Sequence, residues 1–229
     1  MDFSILCPQI EEALLRVRVL YQQVPGLILT ESDLKCVLYK ELSDIPFLTQ
    51  PAMTYDCLYA TPIHTEVSWF DEQGALTITS DLVILDPRHL RLLEQPLGHE
   101  KAMLSRQRVA LRREQGARNW QPLPNKKYEF GGTAINFELK FARAGMDRIF
   151  KDIQDDHDKI KRLEHVLETN GSHSEVFHYI VIFSRFKNRS NRFSEWVRRC
   201  NEEPYIRVIW HHADIWFPGF SRRTTQSTN

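Results

Sequence analysis

The chain has 229 residues and a mass of 27.0 kDa, the size of one large domain or two small ones and enough to bury a core without staples. Hydrophobic residues at 42% and charged residues at 26%, with a mean hydropathy of -0.42, exclude collagen-like, low-complexity and wholly disordered chains. Thirty bases balance thirty acids, so any charged partner must be sought in the distribution of charge and not in its total.

Residues 8–23 read as a first helix, with Ile10, Leu14, Leu15, Val17 and Leu20 as its stripe and Pro25-Gly26 as its stop. Thr30-Glu31-Ser32-Asp33 forms a capping box with Asp in the reciprocal position. It opens a second helix that buries Leu34, Val37, Leu38, Leu42 and Ile45 ahead of Pro46. Ile63 to Phe70 and Ala75 to Leu85 are β-branched and aromatic runs joined by Glu72-Gln73-Gly74, which predicts a hairpin. Residues 88–127 are expected to be a polar, basic, helical insertion, punctuated by Pro96, Gly98, Gly116, Pro122 and Pro124.

After Gly131-Gly132, residues Thr133 to Phe141 alternate apolar and polar side chains as a strand does. Asp147 to Thr169 is the longest predicted helix, carrying Ile149, Ile153, Ile160, Leu163 and Leu167 and ending at Asn170-Gly171. Phe177 to Phe183 has the continuous apolar pattern of a strand buried on both faces. A helix over Ser194 to Cys200 and a strand over Tyr205 to Trp210 follow. The expected organisation is one domain over residues 1–220 with a frayed tail at 221–229.

No segment approaches the roughly 20 apolar residues needed to cross a bilayer. The opening MDFSILCPQIEE lacks the basic start of a secretory signal, so a cytoplasmic protein without membrane contact is expected. Cys7, Cys36, Cys57 and Cys200 are widely spaced among apolar neighbours, as buried thiols are, and their spacing indicates neither a disulfide framework nor a structural zinc site.

Three ionisable residues interrupt apolar strands: Asp81 in Ser80-Asp81-Leu82-Val83-Ile84, and Glu138 and Lys140 in Phe137-Glu138-Leu139-Lys140-Phe141. Strand interiors disfavour such residues. The period of two puts Glu138 and Lys140 on one face, about 7 Å apart. If the strand carrying Asp81 is the neighbour, a second carboxylate meets Glu138 across the ladder, and two hard oxygen donors suit Mg²⁺ or Mn²⁺.

An Asp on one strand and Glu-x-Lys on the next, in a helix-strand-strand-strand-helix-strand order, resembles the PD-(D/E)XK nuclease superfamily over roughly residues 30–184. The resemblance implies an α/β, restriction-endonuclease-like fold, a mixed central sheet flanked by helices with an αβββαβ core. It also implies metal-dependent hydrolysis of phosphodiester bonds in DNA. Asp81 and Glu138 would be the metal ligands and Lys140 the basic residue beside the attacking water, orienting it, helping to deprotonate it or stabilising the transition state by its charge. Glu31 resembles the acid that many members carry on the preceding helix. Two departures stand out: Ser80 precedes the Asp where the nominal motif has Pro, and 57 positions separate Asp81 from Glu138, so residues 88–127 would be an insertion. A catalytically inactive nucleic-acid-binding or assembly module on the same fold is the alternative.

Residues 88–127 hold ten bases against three acids, a net of +7, which fits a surface that tracks phosphates. Arg106, Arg108, Arg112, Arg113, Lys126 and Lys127 are its candidate contacts; DNA is the expected partner, and a homodimer is one assembly open to the chain. Arg185, Lys187, Arg189, Arg192, Arg198 and Arg199 form a second basic patch, whose Phe193 and Trp196 read mainly as core anchors. Glu66 and His64 read as exposed strand residues. Asp156 and His157, flanked by charges at i,i+4 spacing such as Asp155 and Lys159, read as a solvated flank of the long helix. His211-His212 points to opposite faces of a strand and is not read as a metal site.

Overall fold

The computed structural model describes residues 2–24, 26–70, 75–92, 121–143, 146, 149–169, 175–185 and 191–212. Helix α1 (Phe3–Gln23) begins a turn earlier than its periodicity indicates, because the Asp2 side chain caps it by accepting the Ser4 N–H at 2.9 Å. Leu6 then extends the buried stripe of Ile10, Leu14, Val17 and Tyr21, while Leu15 turns outward. Pro8 lies inside this helix, at the cost of one backbone hydrogen bond. Helix α2 (Glu31–Ser43) starts as predicted: Thr30 Oγ1 accepts the Asp33 N–H at 3.0 Å, and the Asp33 carboxylate accepts the Leu29 N–H at 3.0 Å. A one-turn helix α3 (Pro46–Thr49) and a two-residue hairpin, β1 (Ala52–Met53) with β2 (Tyr59–Ala60), follow.

Strands β3 (Ile63–Phe70) and β4 (Leu76–Leu85) pair antiparallel, as the hairpin pattern predicts. Beyond them the chain departs from expectation. A 3-10 turn (Pro87–His89) leads into β5 (Leu90–Leu92), while β6 (Gln121–Leu123), a second 3-10 turn (Pro124–Lys126) and β7 (Tyr128–Phe130) close a three-stranded sheet in the order β5-β7-β6. The described ends of the basic insertion are therefore strands and 3-10 turns, not helix. Burial of Leu90, Leu123 and Phe130 in the main core draws them there. Residues 93–120, with Arg106, Arg108, Arg112 and Arg113, lie outside the described residues.

Gly132 passes so close to His89 that an added Cβ would lie 2.5 Å from the histidine Cβ, so only glycine fits at this entry to β8 (Ala134–Ala142). Helix α4 (Phe150–Thr169), β9 (Val176–Ser184), helix α5 (Asn191–Cys200) and β10 (Ile206–His212) complete the order. The five-stranded sheet runs β10-β9-β8-β4-β3. Strands β8, β9 and β10 are parallel, and β4 is antiparallel to both β8 and β3.

The sheet is thus mixed and flanked by helices on both sides, an α/β architecture. Alternation along β8 sorts its side chains: Ile135, Phe137, Leu139 and Phe141 pack with the stripes of α1 and α2, whereas Ala134 and Ala142 belong to the cluster under α4 and α5. Phe137 stacks on Tyr179 at 5.3 Å between centroids in the first cluster. Among the described residues no helix is long and apolar enough to cross a membrane.

The cysteines depart from the apolar-burial expectation. Only Cys200 is buried and Cys7 half-buried; Cys36 faces outward from α2, and Cys57 sits exposed in the β1–β2 turn with a positive φ of 61°. All four are free.

Candidate metal and catalytic site

Strands β4 and β8 pair from Leu85–Ala134 to Leu82–Phe137, where the backbone ladder ends. One residue further along each strand stand Asp81 and Glu138. Past this point Asp81 takes over the ladder's task with its side chain, Oδ2 accepting the Leu139 N–H at 2.9 Å. The fork holds the Asp81 carboxylate beside β8. On β3, Glu66 stands across from Asp81 between the Thr65–Leu82 and Val67–Ser80 pairs, with a positive φ of 53° and no shift of register. The Asn125 side chain braces the backbone on either side of Val67, donating to the Glu66 carbonyl and accepting the Ser68 N–H at 3.2 Å.

The structure brings the four sequence-predicted acid and base residues into one neighbourhood. Glu138 is 5% exposed, and its Oε1 has no hydrogen-bond partner among the described residues. Burial, reinforced by the negative charges of Asp81 and Asp156, pushes its carboxyl well above the ordinary glutamate range; Lys140 and Lys159 oppose this only in part. Lys140, two residues on, is ion-paired at 2.8 Å with Asp156 of α4. Burial disfavours its charge, but Asp156, with lesser help from Glu31 and Glu138, outweighs burial and holds the ammonium above the ordinary lysine value. Glu31, the exposed first residue of α2, therefore acts on Lys140 through its charge, and the helix N-terminus favours an acid there in any case.

Three further residues complete the cluster. Asp156 is 5% exposed and also receives Lys159 at 2.8 Å, in place of the expected Asp155–Lys159 pair. The reading of this helix flank as solvated is thus corrected: Ile153, Asp156, His157 and Ile160 share the buried face of α4. Lys35 reaches from α2 to Asp81 Oδ1 at 2.9 Å and also pairs with Glu66. Its charge is opposed by burial and favoured more strongly by those two carboxylates, so its pKa is raised. Asp156 and His157 carried a signal in the sequence, since 153, 156, 157 and 160 follow the i, i+3, i+4, i+7 spacing of a helix's inner face. Lys35 carried none beyond a place beside Leu34.

Lys126 and Lys127 are the described members of the basic set. Lys126 is half-buried near Glu66, burial lowering its pKa, and Lys127 is exposed at a positive φ of 59°. His64, half-buried and not exposed as its strand position suggests, has its pKa lowered to about 4 by burial and by the Lys126 charge, so it is neutral at pH 7. In the second basic patch Phe193 and Trp196 are buried, which makes them core anchors as read.

Asp81 and Glu138 fit a hard divalent cation. The donors are carboxylate oxygens at opposing positions, Glu138 Oε1 is a buried acceptor without a partner, and Asp81 retains lone pairs after its two bonds. No protein-family profile, curated protein or solved structure matches the chain. The site's own chemistry must carry the functional reading.

Proposed function

We propose that the chain is a metal-dependent nuclease of the restriction-endonuclease-like fold that hydrolyses phosphodiester bonds in DNA. The observation that carries this reading is the buried Glu138 carboxyl, whose Oε1 has no hydrogen-bond partner among the described residues, beside Asp81 at the β4–β8 fork, with the charged Lys140 two residues away. Asp81 and Glu138 would hold Mg²⁺ or Mn²⁺, which when bound lowers the pKa of a coordinated water and neutralises charge growing on the phosphate oxygens. Lys140 remains an ammonium at neutral pH because Asp156 keeps it so. It therefore serves as a fixed positive charge that orients the attacking water and offsets charge in the transition state, not as a base that removes a proton. Asp81 is positioned by the Leu139 N–H, Lys35 occupies its other oxygen until a cation displaces it, and Glu31 adds negative potential to the site.

Incubation of the protein with linear, circular and single-stranded DNA plus Mg²⁺ or Mn²⁺ tests the proposal. Cleavage that stops with a chelator and in Glu138→Ala is expected. Cleavage that survives Glu138→Ala rejects the site; binding without cleavage in every metal favours an inactive module on the same fold.

A further inference from the structure

A second cluster of ligating side chains lies between α4 and the end of α5, apart from the carboxylates of the fork. His157 on α4, Cys200 at the end of α5 and Glu203 in the turn after it each offer one ligand atom, and these atoms lie within 4.8 Å of one another. We propose that they form a site for a borderline-soft divalent metal of the Zn²⁺ or Co²⁺ class.

The turn is built to bring two of the ligands together. The Glu203 N–H donates to the Cys200 carbonyl at 3.0 Å, which closes the chain behind α5 and places the thiol and the carboxylate on the same approach. The third ligand is fixed from the other helix. His157 is 8% exposed, its ring meets Trp196 edge to face at 5.7 Å, and its Nε2 lies 3.1 Å from Glu203 Oε1. The Nε2 contact with Glu203 is a hydrogen bond that a metal at this nitrogen would displace, and Asp158 Oδ1, 3.8 Å from Nδ1, lies beyond hydrogen-bond reach. Cys200 is 2% exposed, so its sulfur is shielded from competing thiols and oxidants.

The donor set selects the metal. A thiolate, an imidazole and one carboxylate make a three-ligand tetrahedral site with a fourth place for water, whereas Mg²⁺ takes oxygen ligands alone. Binding replaces protons: the Cys200 S–H bond breaks, its proton leaves to solvent, and the sulfur lone pair forms the metal bond with no change of oxidation state. Lys161, 3.4 Å from Glu203 Oε1, is the protein's own cation at this carboxylate and is half-exposed, free to move to its other oxygen. Spacing concealed the cluster, because His157 and Cys200 are 43 positions apart with no C-x-x-C pair between them. A filled site would clasp α4 to α5 one residue from Asp156, the partner of Lys140.

Titration of the full chain with Co²⁺ in excess Mg²⁺ tests the proposal. One equivalent should give a thiolate-to-cobalt charge-transfer band in the near ultraviolet that Zn²⁺ abolishes. The band should persist in the Cys36→Ser/Cys57→Ser double variant and in Glu138→Gln, and should vanish in Cys200→Ser. Glu203→Gln, at a partly exposed position, should retain the fold by circular dichroism and weaken Co²⁺ binding by about tenfold or more. Absence of the band in the wild-type protein overturns the site, as does a band that survives Cys200→Ser. The latter result would mark the three residues as a hydrogen-bonded His–Glu pair beside a packed thiol. None of these outcomes depends on DNA cleavage, so the site stands or falls apart from the nuclease reading.

Discussion

Lys140 Nζ lies 2.8 Å from Asp156 Oδ2, and the same buried carboxylate takes Lys159 on its other oxygen. This pairing overcomes the burial that would otherwise neutralise Lys140 and raises its pKa above the ordinary lysine value. A cation with a raised folded-state pKa contributes stability that is fully present below its unfolded value and is lost as pH climbs through the folded one. Lys140 therefore stays charged throughout the neutral range. Asp156→Asn removes the opposing charge and leaves burial in control. The alkaline limb of the pH–rate profile should move to lower pH, with kcat near neutrality falling about 10- to 100-fold. A profile that keeps its alkaline limb in place would show that Asp156 does not hold the lysine charged.

Glu138 shifts in the same direction for the opposite reason, its neutral form being the favoured one. Its carboxyl is raised by burial and by the Asp81 and Asp156 charges, so it favours the fold most below the ordinary glutamate range, and that contribution fades as pH rises towards its folded-state value. Glu138→Gln removes the ionisation and offers an amide N–H₂ to the neighbouring carboxylates. In chelator at neutral pH the variant should melt about 2–4 °C higher than the wild type, corresponding to about 1 kcal/mol in a chain of this size. Mn²⁺ at a hundredfold excess over its Kd should stabilise the wild type by about 2.7 kcal/mol and the variant far less. Equal stabilisation of both proteins in a melting series with and without Mn²⁺ would remove Glu138 from the metal site.

The Lys35 ammonium sits between Asp81 and Glu66, engaging the Asp81 oxygen that the Leu139 N–H leaves free. A divalent cation and this ammonium compete for one carboxylate. Lys35→Met keeps the apolar stem packed and removes the competitor, so Mn²⁺ should bind about tenfold tighter by titration calorimetry, a gain of about 1.4 kcal/mol. Weaker binding in the variant would assign Lys35 the opposite role, that of a group holding Asp81 in its metal-ready position.

Strand residues made this site legible in the sequence, and helix residues hid it. Asp81, Glu138 and Lys140 interrupt strands with a period of two, so one face of each strand could be read directly and the anomaly seen against it. Asp156 and Lys35 sit on helices, where acids and bases at i,i+4 spacing are ordinary surface features; the spacing puts positions 156 and 157 on the inner face of α4, but the charge pairs around them favour reading that flank as solvated. The large strands and helices were legible because each spans several periods. Strands β5, β6 and β7 have three residues apiece, too few to show any period, and Leu90, Leu123 and Phe130 are drawn into the core by contacts distant in sequence. Glu66 read as exposed, and it is; its place opposite Asp81 follows from the register of the β3–β4 pairing, which the hydrophobic pattern of either strand alone does not give.

Lys127 offers the sharpest test of whether the described part of the basic segment tracks a nucleic-acid backbone. It is exposed, carries no ion pair among the described residues, and occupies the left-handed region with φ 59°. Alanine there would combine charge removal with backbone strain. Asparagine tolerates that conformation, so Lys127→Asn isolates the charge. If Lys127 contacts a phosphate, the slope of log K against log salt should decrease in magnitude by about 1, and affinity should fall uniformly across DNA sequences. Fluorescence anisotropy at several salt concentrations measures both. An unchanged slope would leave phosphate contact to other bases, and a loss confined to particular sequences would mean that Lys127 reads a base edge and not the backbone.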